Sequence, residues 1–410
     1  MNYVERIECW QSVEAYSVED AVAGAYPAGD FPEVHYDLAK IRGELDRDQF
    51  AHGVASLWRY APLLPVEDPE NAVTLGEGWT PLLPTPTLGA TIGCANLLAK
   101  DEGRNPSGTF KDRGCSVAIT RHREMGVETI IHNSSGNAGG AMALYAARAG
   151  MRCVNLLPSD VLPASLMQSA MAGADTRILD GPWRESGKLV ADAVEDHGWF
   201  NISTLKEPYR LEGKKTMGYE IAEQLGWSLP DAIVYPTGGG LGAIAIYKAF
   251  RELQELGWVD AGPLPKLIVS QYEGCAPIVK AFRENADHAE VWMDLQVPPG
   301  GLKSTRPPGD KAVLKLVRET GGTAISVSTQ DALDATGLMT RTEGIFPCPE
   351  SATTFAGLKT AISEGVVSTD ARIILMVTGS GIKSIPALPS SDVVFIAPGD
   401  GVKPYKTRGT

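Results

Sequence analysis

Residues 105–114 read Asn-Pro-Ser-Gly-Thr-Phe-Lys-Asp-Arg-Gly, and their types and order can support amine chemistry. A Pro-Ser-Gly-Thr turn leading into an acidic residue is the usual chemistry of a helix start, here one beginning near Asp112. It fixes Lys111 at a rigid junction. A lysine held partly out of water loses proton affinity, and a free amine is what imine formation with an aldehyde requires. Taken alone, the decapeptide reads equally well as a solvated Lys-Asp-Arg face at a helix N-terminus.

Two further segments could position small anions. Residues 134–140, Ser-Ser-Gly-Asn-Ala-Gly-Gly, follow the apolar run 129–132 and precede an Ala-rich stretch that Gly150 would cap. This pattern predicts a strand, a tight loop and a helix, with Asn137 able to donate to an anionic or phenolate oxygen. An Asx turn is the alternative for Asn137. Residues 236–242, Pro-Thr-Gly-Gly-Gly-Leu-Gly, follow a second apolar run and open a helical pattern through Ile244, Tyr247 and Phe250. Backbone amides of such a loop, Gly238, Gly239, Gly240, Leu241 and Gly242, would bind phosphate. Gly238, Gly240 and Ala243 also satisfy the dinucleotide pattern G-x-G-x-x-[GA], which is weak on its own.

Taken together, these segments resemble the fold-type II pyridoxal-phosphate enzymes, and within them the threonine synthases. The similarity runs from about Trp58 to about Lys383. It includes Leu-Gly-Glu-Gly-Trp-Thr-Pro-Leu at 75–82, Arg-Leu-Glu-Gly-Lys-Lys-Thr at 210–216 against the family's Arg-x-Glu-Gly-Gln-Lys-Thr, Glu-Gly-Ile-Phe at 343–346 and Val-Thr-Gly-Ser-Gly-Ile-Lys at 377–383. The resemblance implies that Lys111 is the catalytic Schiff-base lysine and that Asn137 binds the cofactor's phenolic oxygen. It also implies that residues 238–242 hold the cofactor's phosphate and that Thr378 faces the pyridine nitrogen. For Thr378 an ordinary turn after a strand is the alternative. The substrate would meet Ser134, Ser135, Gly136, Arg210 and Lys214.

The implied reaction converts O-phosphohomoserine and water to threonine and phosphate, with the positive charge of Arg210, Lys214 and Lys215 suited to a phosphorylated substrate. Other residues point to a threonine or serine ammonia-lyase, or a related β-replacement enzyme. Ala138 and Gly139 stand where threonine synthases carry hydroxyls, and the Gly-Gly-Gly-Leu-Gly loop is the dehydratase form. A nicotinamide-dependent oxidoreductase would need an acidic residue about 20 residues beyond the glycines, and Glu273 lies farther on. A catalytically silent binding protein conflicts with an intact Lys111. Glu350, in Cys-Pro-Glu-Ser-Ala, has no role on this reading.

The whole chain sets bounds on its partners. Its 410 residues, 43% hydrophobic, can bury a core large enough for two or three domains. A net charge of −13 disfavours nucleic acid or an anionic membrane as partner. The six cysteines include no C-x-x-C pair, which predicts no metal site and suits a reducing cytosol. Lacking an apolar signal core or a membrane-length apolar run, the chain reads as cytoplasmic. A homodimer is the family expectation.

The elements that must position these residues alternate between short apolar strands and helix-length patterns from Asn96 onward. That alternation predicts an α/β fold of two packed domains with mostly parallel twisted sheets, the cofactor lying between them. Residues 1–70 read as an irregular N-terminal extension with a short helical stretch around 48–59. Residues 71–113 and 200–410 would form the large cofactor domain and 114–199 the small one. The Pro- and Gly-rich stretch 297–310 reads as a long functional loop.

Overall fold

The computed structural model describes residues 3–12, 15–16 and 30–388. The chain opens with a three-stranded antiparallel sheet, β1 (Val4–Cys9), β2 (Ala15–Tyr16) and β3 (Pro32–Tyr36), in the order β2-β1-β3. The strands that follow are β4 (Leu82–Pro84), β5 (Leu97–Asp101), β6 (Thr129–Asn133), β7 (Arg152–Pro158), β8 (Asp175–Leu179) and β9 (Phe200–Asn201). The last four are β10 (Ala232–Pro236), β11 (Lys266–Tyr272), β12 (Thr323–Val327) and β13 (Ile373–Val377).

Two of the sheets carry the α/β architecture. One has six strands in the order β12-β11-β10-β13-β5-β4, all parallel except β4 at the edge. The other has four parallel strands in the order β8-β7-β6-β9. β10 and β13 are buried along their whole length, which is why their sequences are continuous apolar runs: a parallel strand with helices on both faces has no solvated side. Side chains alternate between two cores. Ile233, Tyr235, Ile374 and Met376 pack with Ile244, Tyr247 and Phe250 on one face. Val234, Ile373, Leu375 and Val377 pack with Phe355 and Leu358 on the other.

Helix Lys111–Glu124 follows β5, helix Asn137–Ala149 follows β6, and helix Leu241–Leu256 follows β10. Each expected loop therefore sits at the carboxyl end of a parallel strand, where ligands of open α/β sheets bind.

The Lys-Asp-Arg run is not a solvated face. Asp112 and Arg113 are both fully buried. Arg113 spans Glu102 and Glu220 with bonds of 2.6 and 2.7 Å to each, and Lys100 adds 2.7 Å to Glu220. This network ties helix Lys111–Glu124 to helix Tyr209–Gln224 and to β5. The two helices approach closely because glycines face the crossing: a Cβ at Gly213 would lie 2.1 Å from the Arg113 carbonyl oxygen.

The N-terminal segment differs from its expected irregular form. Besides its sheet, it contains helix Leu38–Glu44 and tight 3₁₀ turns at Arg47–His52 and Leu57–Leu63. In β3 the buried Val34 and Tyr36 alternate with Glu33 and His35, a half-buried strand pattern too short to stand out in sequence. The Tyr36 hydroxyl donates to Glu212 at 2.6 Å, and Arg59 pairs with Glu223 at 2.7 Å. The extension is thereby fastened to helix Tyr209–Gln224.

Candidate active site

A cavity of about 400 Å³ is lined by Phe110, Lys111, Ser134, Ser135, Asn137, residues 238–242, Arg210, Thr378 and a stretch of the 297–309 loop. Lys111 is the first residue of its helix. The turn before it is pinned to the segment after β13: Phe110 N–H donates to the Thr378 carbonyl at 3.0 Å, and Ser380 N–H to the Gly108 carbonyl at 2.9 Å. One local pairing thus places both the amine and the Thr378 hydroxyl. Burial, and then the charge of Arg210, push the Lys111 amine down to about 8. Its nitrogen lies 4.2 Å from the centre of the Phe110 ring. Beside it, burial pushes the Asp112 carboxyl up to about 6, although the Ser107 amide and hydroxyl donate to it.

The Gly loop makes a bare cradle of backbone donors. Gly240, with φ +91°, caps helix Leu241–Leu256 without any side-chain bond, so the first amides of the helix have no acceptor within it. A Cβ at Gly242 would lie 1.8 Å from the Tyr235 hydroxyl, which is buried and has no hydrogen-bond partner among the described residues. Donors facing a cavity at the N-terminus of a 16-residue helix suit a phosphate dianion.

Across the cavity, Gly136 at φ +141° turns the chain into helix Asn137–Ala149. The Asn137 side-chain oxygen accepts from Ser165 at 3.1 Å, which leaves its amide nitrogen as the donor toward the cavity. The Ser134 hydroxyl accepts from the amides of Gly136 and Gly139, at 3.1 and 3.0 Å, and so shapes the loop. Thr378 is nearly buried, its hydroxyl 3.1 Å from that of Ser351, which in turn accepts from Gly379 N–H at 3.1 Å. An amide cradle, an amide donor, a hydroxyl and a buried amine are the partners that the phosphate, phenolic oxygen, ring nitrogen and aldehyde of pyridoxal phosphate need. The residues present fit that cofactor.

A family model described as "Pyridoxal-phosphate dependent enzyme" matches residues 73–379. The chain belongs to the pyridoxal-phosphate dependent enzymes. It is 34% identical to a threonine synthase of Methanocaldococcus jannaschii over 376 residues, 92% of each chain. It is 36% identical to a threonine synthase of Methanosarcina acetivorans over 384 residues, 93% of this chain and 92% of the relative. In structure it resembles a diaminopropionate ammonia lyase from Escherichia coli, with a TM-score of 0.65 at 16% identity over 82% of this chain and 91% of that one. An aspartate racemase gives 0.64 at 18% identity over 76% and 92%. At such identities these two likenesses speak for the fold alone.

Not every residue considered from sequence lines the cavity of this enzyme. Gly136 is outside the lining, its Cα facing Val161 and Ser165 instead. Lys214 is buried between helices, bonded to the Arg210 carbonyl at 3.2 Å, in space that a Cβ at Gly114 would fill. Lys215 is neutralised by Glu212 at 2.7 Å and Glu252 at 3.0 Å, so its charge serves the helix packing. Arg210 does reach the cavity: one guanidinium nitrogen donates to the Ile202 carbonyl at 2.7 Å, and its Nε has no partner among the described residues. Arg184, Lys303, Arg306 and Glu350 were not expected there, and Glu273 is exposed and outside the lining. The Pro- and Gly-rich composition of 297–310 signalled the segment that carries Lys303 and Arg306. Arg184 had no sequence signal; a 2.7 Å bond from Asn133 at the end of β6 to Ser186 places its segment.

Proposed function

We propose that this enzyme is a threonine synthase, converting O-phosphohomoserine and water to threonine and phosphate. The observation that carries the reading is a second set of cations, apart from the amide cradle. Arg210, Arg184 and Arg306 all line the cavity, and the latter two have no carboxylate partner among the described residues. An ammonia-lyase acting on serine or threonine needs no such cluster, whereas a phosphate monoester dianion does. The two threonine synthase relatives, similar over nine-tenths of the chain, support it.

Pyridoxal phosphate, when bound, supplies an electron sink that acidifies the carbon-bound hydrogens of an attached amino acid. Residues 238–242, Asn137, Thr378 and Lys111 would hold it. Lys111, with its lowered proton affinity, is the base that takes a proton from the substrate's carbon and returns it through the same nitrogen. The arginines hold the phosphate group and stabilise it as it leaves. Loop 297–309 covers the cavity and limits water to the molecule that adds. We further propose a cytoplasmic homodimer.

Incubation with O-phosphohomoserine tests this: the enzyme should release equal amounts of inorganic phosphate and threonine, and Arg210→Ala should abolish the release while keeping the cofactor's visible spectrum. Rapid ammonia release from threonine or serine, with no turnover of O-phosphohomoserine, would replace this reading with an ammonia-lyase, which the hydroxyl-free Ala138 would suit.

A further inference from the structure

The charged lining of the cavity is lopsided. Lys111, Arg184, Arg210, Lys303 and Arg306 are cationic, and Glu350 is the sole carboxylate among the described lining residues. Glu350 stands in the first turn of helix Pro349–Ser363 and is 7% exposed. Its Oε1 accepts from the Gly301 amide, the Cys348 thiol lies beside the carboxylate, and its Oε2 is buried with no hydrogen-bond partner among the described residues. The loop is shaped to this carboxylate. Gly300, at φ +138°, has no room for a side chain, since a Cβ there would lie 2.1 Å from Oε1. The carboxylate is held through one oxygen, while the other is buried and lacks a donor among the described residues.

A buried acceptor with an unfilled oxygen is costly unless a ligand supplies the missing donor. The cofactor's polar groups already have partners in the Gly loop, Asn137, Thr378 and Lys111. The substrate's phosphate and carboxylate would be repelled by a like charge. What remains on a phosphorylated amino acid is its ammonium group. We infer that Glu350 is the ammonium subsite of the cavity, a specificity-determining residue that receives the substrate's amino group before that group is joined to the cofactor. The inference rests on the proposed function, because it takes the ligand to be a phosphorylated amino acid.

Glu350→Gln tests it, since glutamine keeps an acceptor for Gly301 N–H and the side chain's shape while turning the open oxygen into a donor. The measurement is calorimetric binding to holoenzyme reduced with borohydride, in which a ligand cannot bond to the cofactor. The probes are the phosphonate analogue of O-phosphohomoserine and its counterpart lacking the amino group. Glu350→Gln should weaken the amino compound roughly 10- to 100-fold and leave the other within about twofold, and Glu350→Asp should recover part of the preference. Equal weakening of both would reduce Glu350 to a support for the loop, and unchanged affinity for the amino compound would put the ammonium elsewhere; either overturns the inference. Failure of the proposed function reads differently: the wild type would bind neither phosphonate, and serine against its des-amino counterpart would decide Glu350 by the same criterion.

Discussion

Lys111 and Arg210 form a pair of like charges around one reactive nitrogen. The lysine pays for this with proton affinity, and the loss is useful because only the neutral amine attacks an aldehyde. In cofactor-free enzyme, the rate of bonding added pyridoxal phosphate should therefore rise with pH and level off above about 8, below the free-lysine range of about 10.4. Removing the neighbouring positive charge favours the protonated form, so Arg210→Gln should move the midpoint upward. Stopped-flow absorbance across a pH series reads this directly, and an unmoved midpoint would mean burial alone sets the lysine's basicity. At this scale much of the cavity lining was legible, because Lys111, Asn137 and Thr378 sit in short strings where each residue type has a chemical reason. Arg184 and Glu350 were not. Each reaches the cavity only through tertiary placement, and nothing local in the sequence marks an arginine or a glutamate as facing inward.

Helices and strands show a similar division. β10 and β13 announce themselves as unbroken apolar runs, whereas β5, Leu-Leu-Ala-Lys-Asp, hides a central strand behind Lys100, whose charge is met by Glu220 inside the protein. The buried ion network is a long-range fact that no window of residues contains. The Gly loop was legible as a turn of bare backbone donors at a helix start, yet its glycines are not equivalent. At Gly239 a Cβ would meet Pro308 at 3.4 Å, an ordinary contact; at Gly242 it would overlap the Tyr235 hydroxyl. Gly242→Ala should accordingly lower pyridoxal-phosphate affinity by at least about 10-fold, by displacing the amides that close on the phosphate, while Gly239→Ala stays within a few-fold. Cofactor titration beside far-UV circular dichroism separates loss of binding from loss of fold. Equal sensitivity at the two positions would place the phosphate away from the helix end.

The whole molecule brings a parallel and a mostly parallel sheet to one cavity and straps them together. Residues 297–309 are anchored to the Gly loop by a 3.1 Å bond from Gly309 N–H to the Gly239 carbonyl, and to helix Pro349–Ser363 through Gly301 and Glu350. From there Lys303 pairs with Asp160, just beyond β7 of the four-stranded sheet. Such a strap was visible in sequence only as a long Pro- and Gly-rich loop, since its meaning depends on what stands opposite. The order of the N-terminal extension is hidden for the same reason: Tyr36 of β3 is held by Glu212, and Arg59 of the 3₁₀ turn by Glu223, both far along the chain. The Lys303 side chain is 7% exposed and that of Asp160 is 55% exposed, so the pair is a weak latch, contributing about 0.2–1 kcal/mol and open to salt screening. Asp160→Asn should then speed tryptic cleavage after Lys303 by a few-fold, because the buried lysine becomes accessible only when the strap lifts. High salt should do the same to the wild type, and a bound phosphonate substrate analogue should slow cleavage in both. If cleavage after Lys303 were indifferent to the mutation, to salt and to ligand alike, the loop would be a fixed wall of the cavity, and substrate would have to enter by another route.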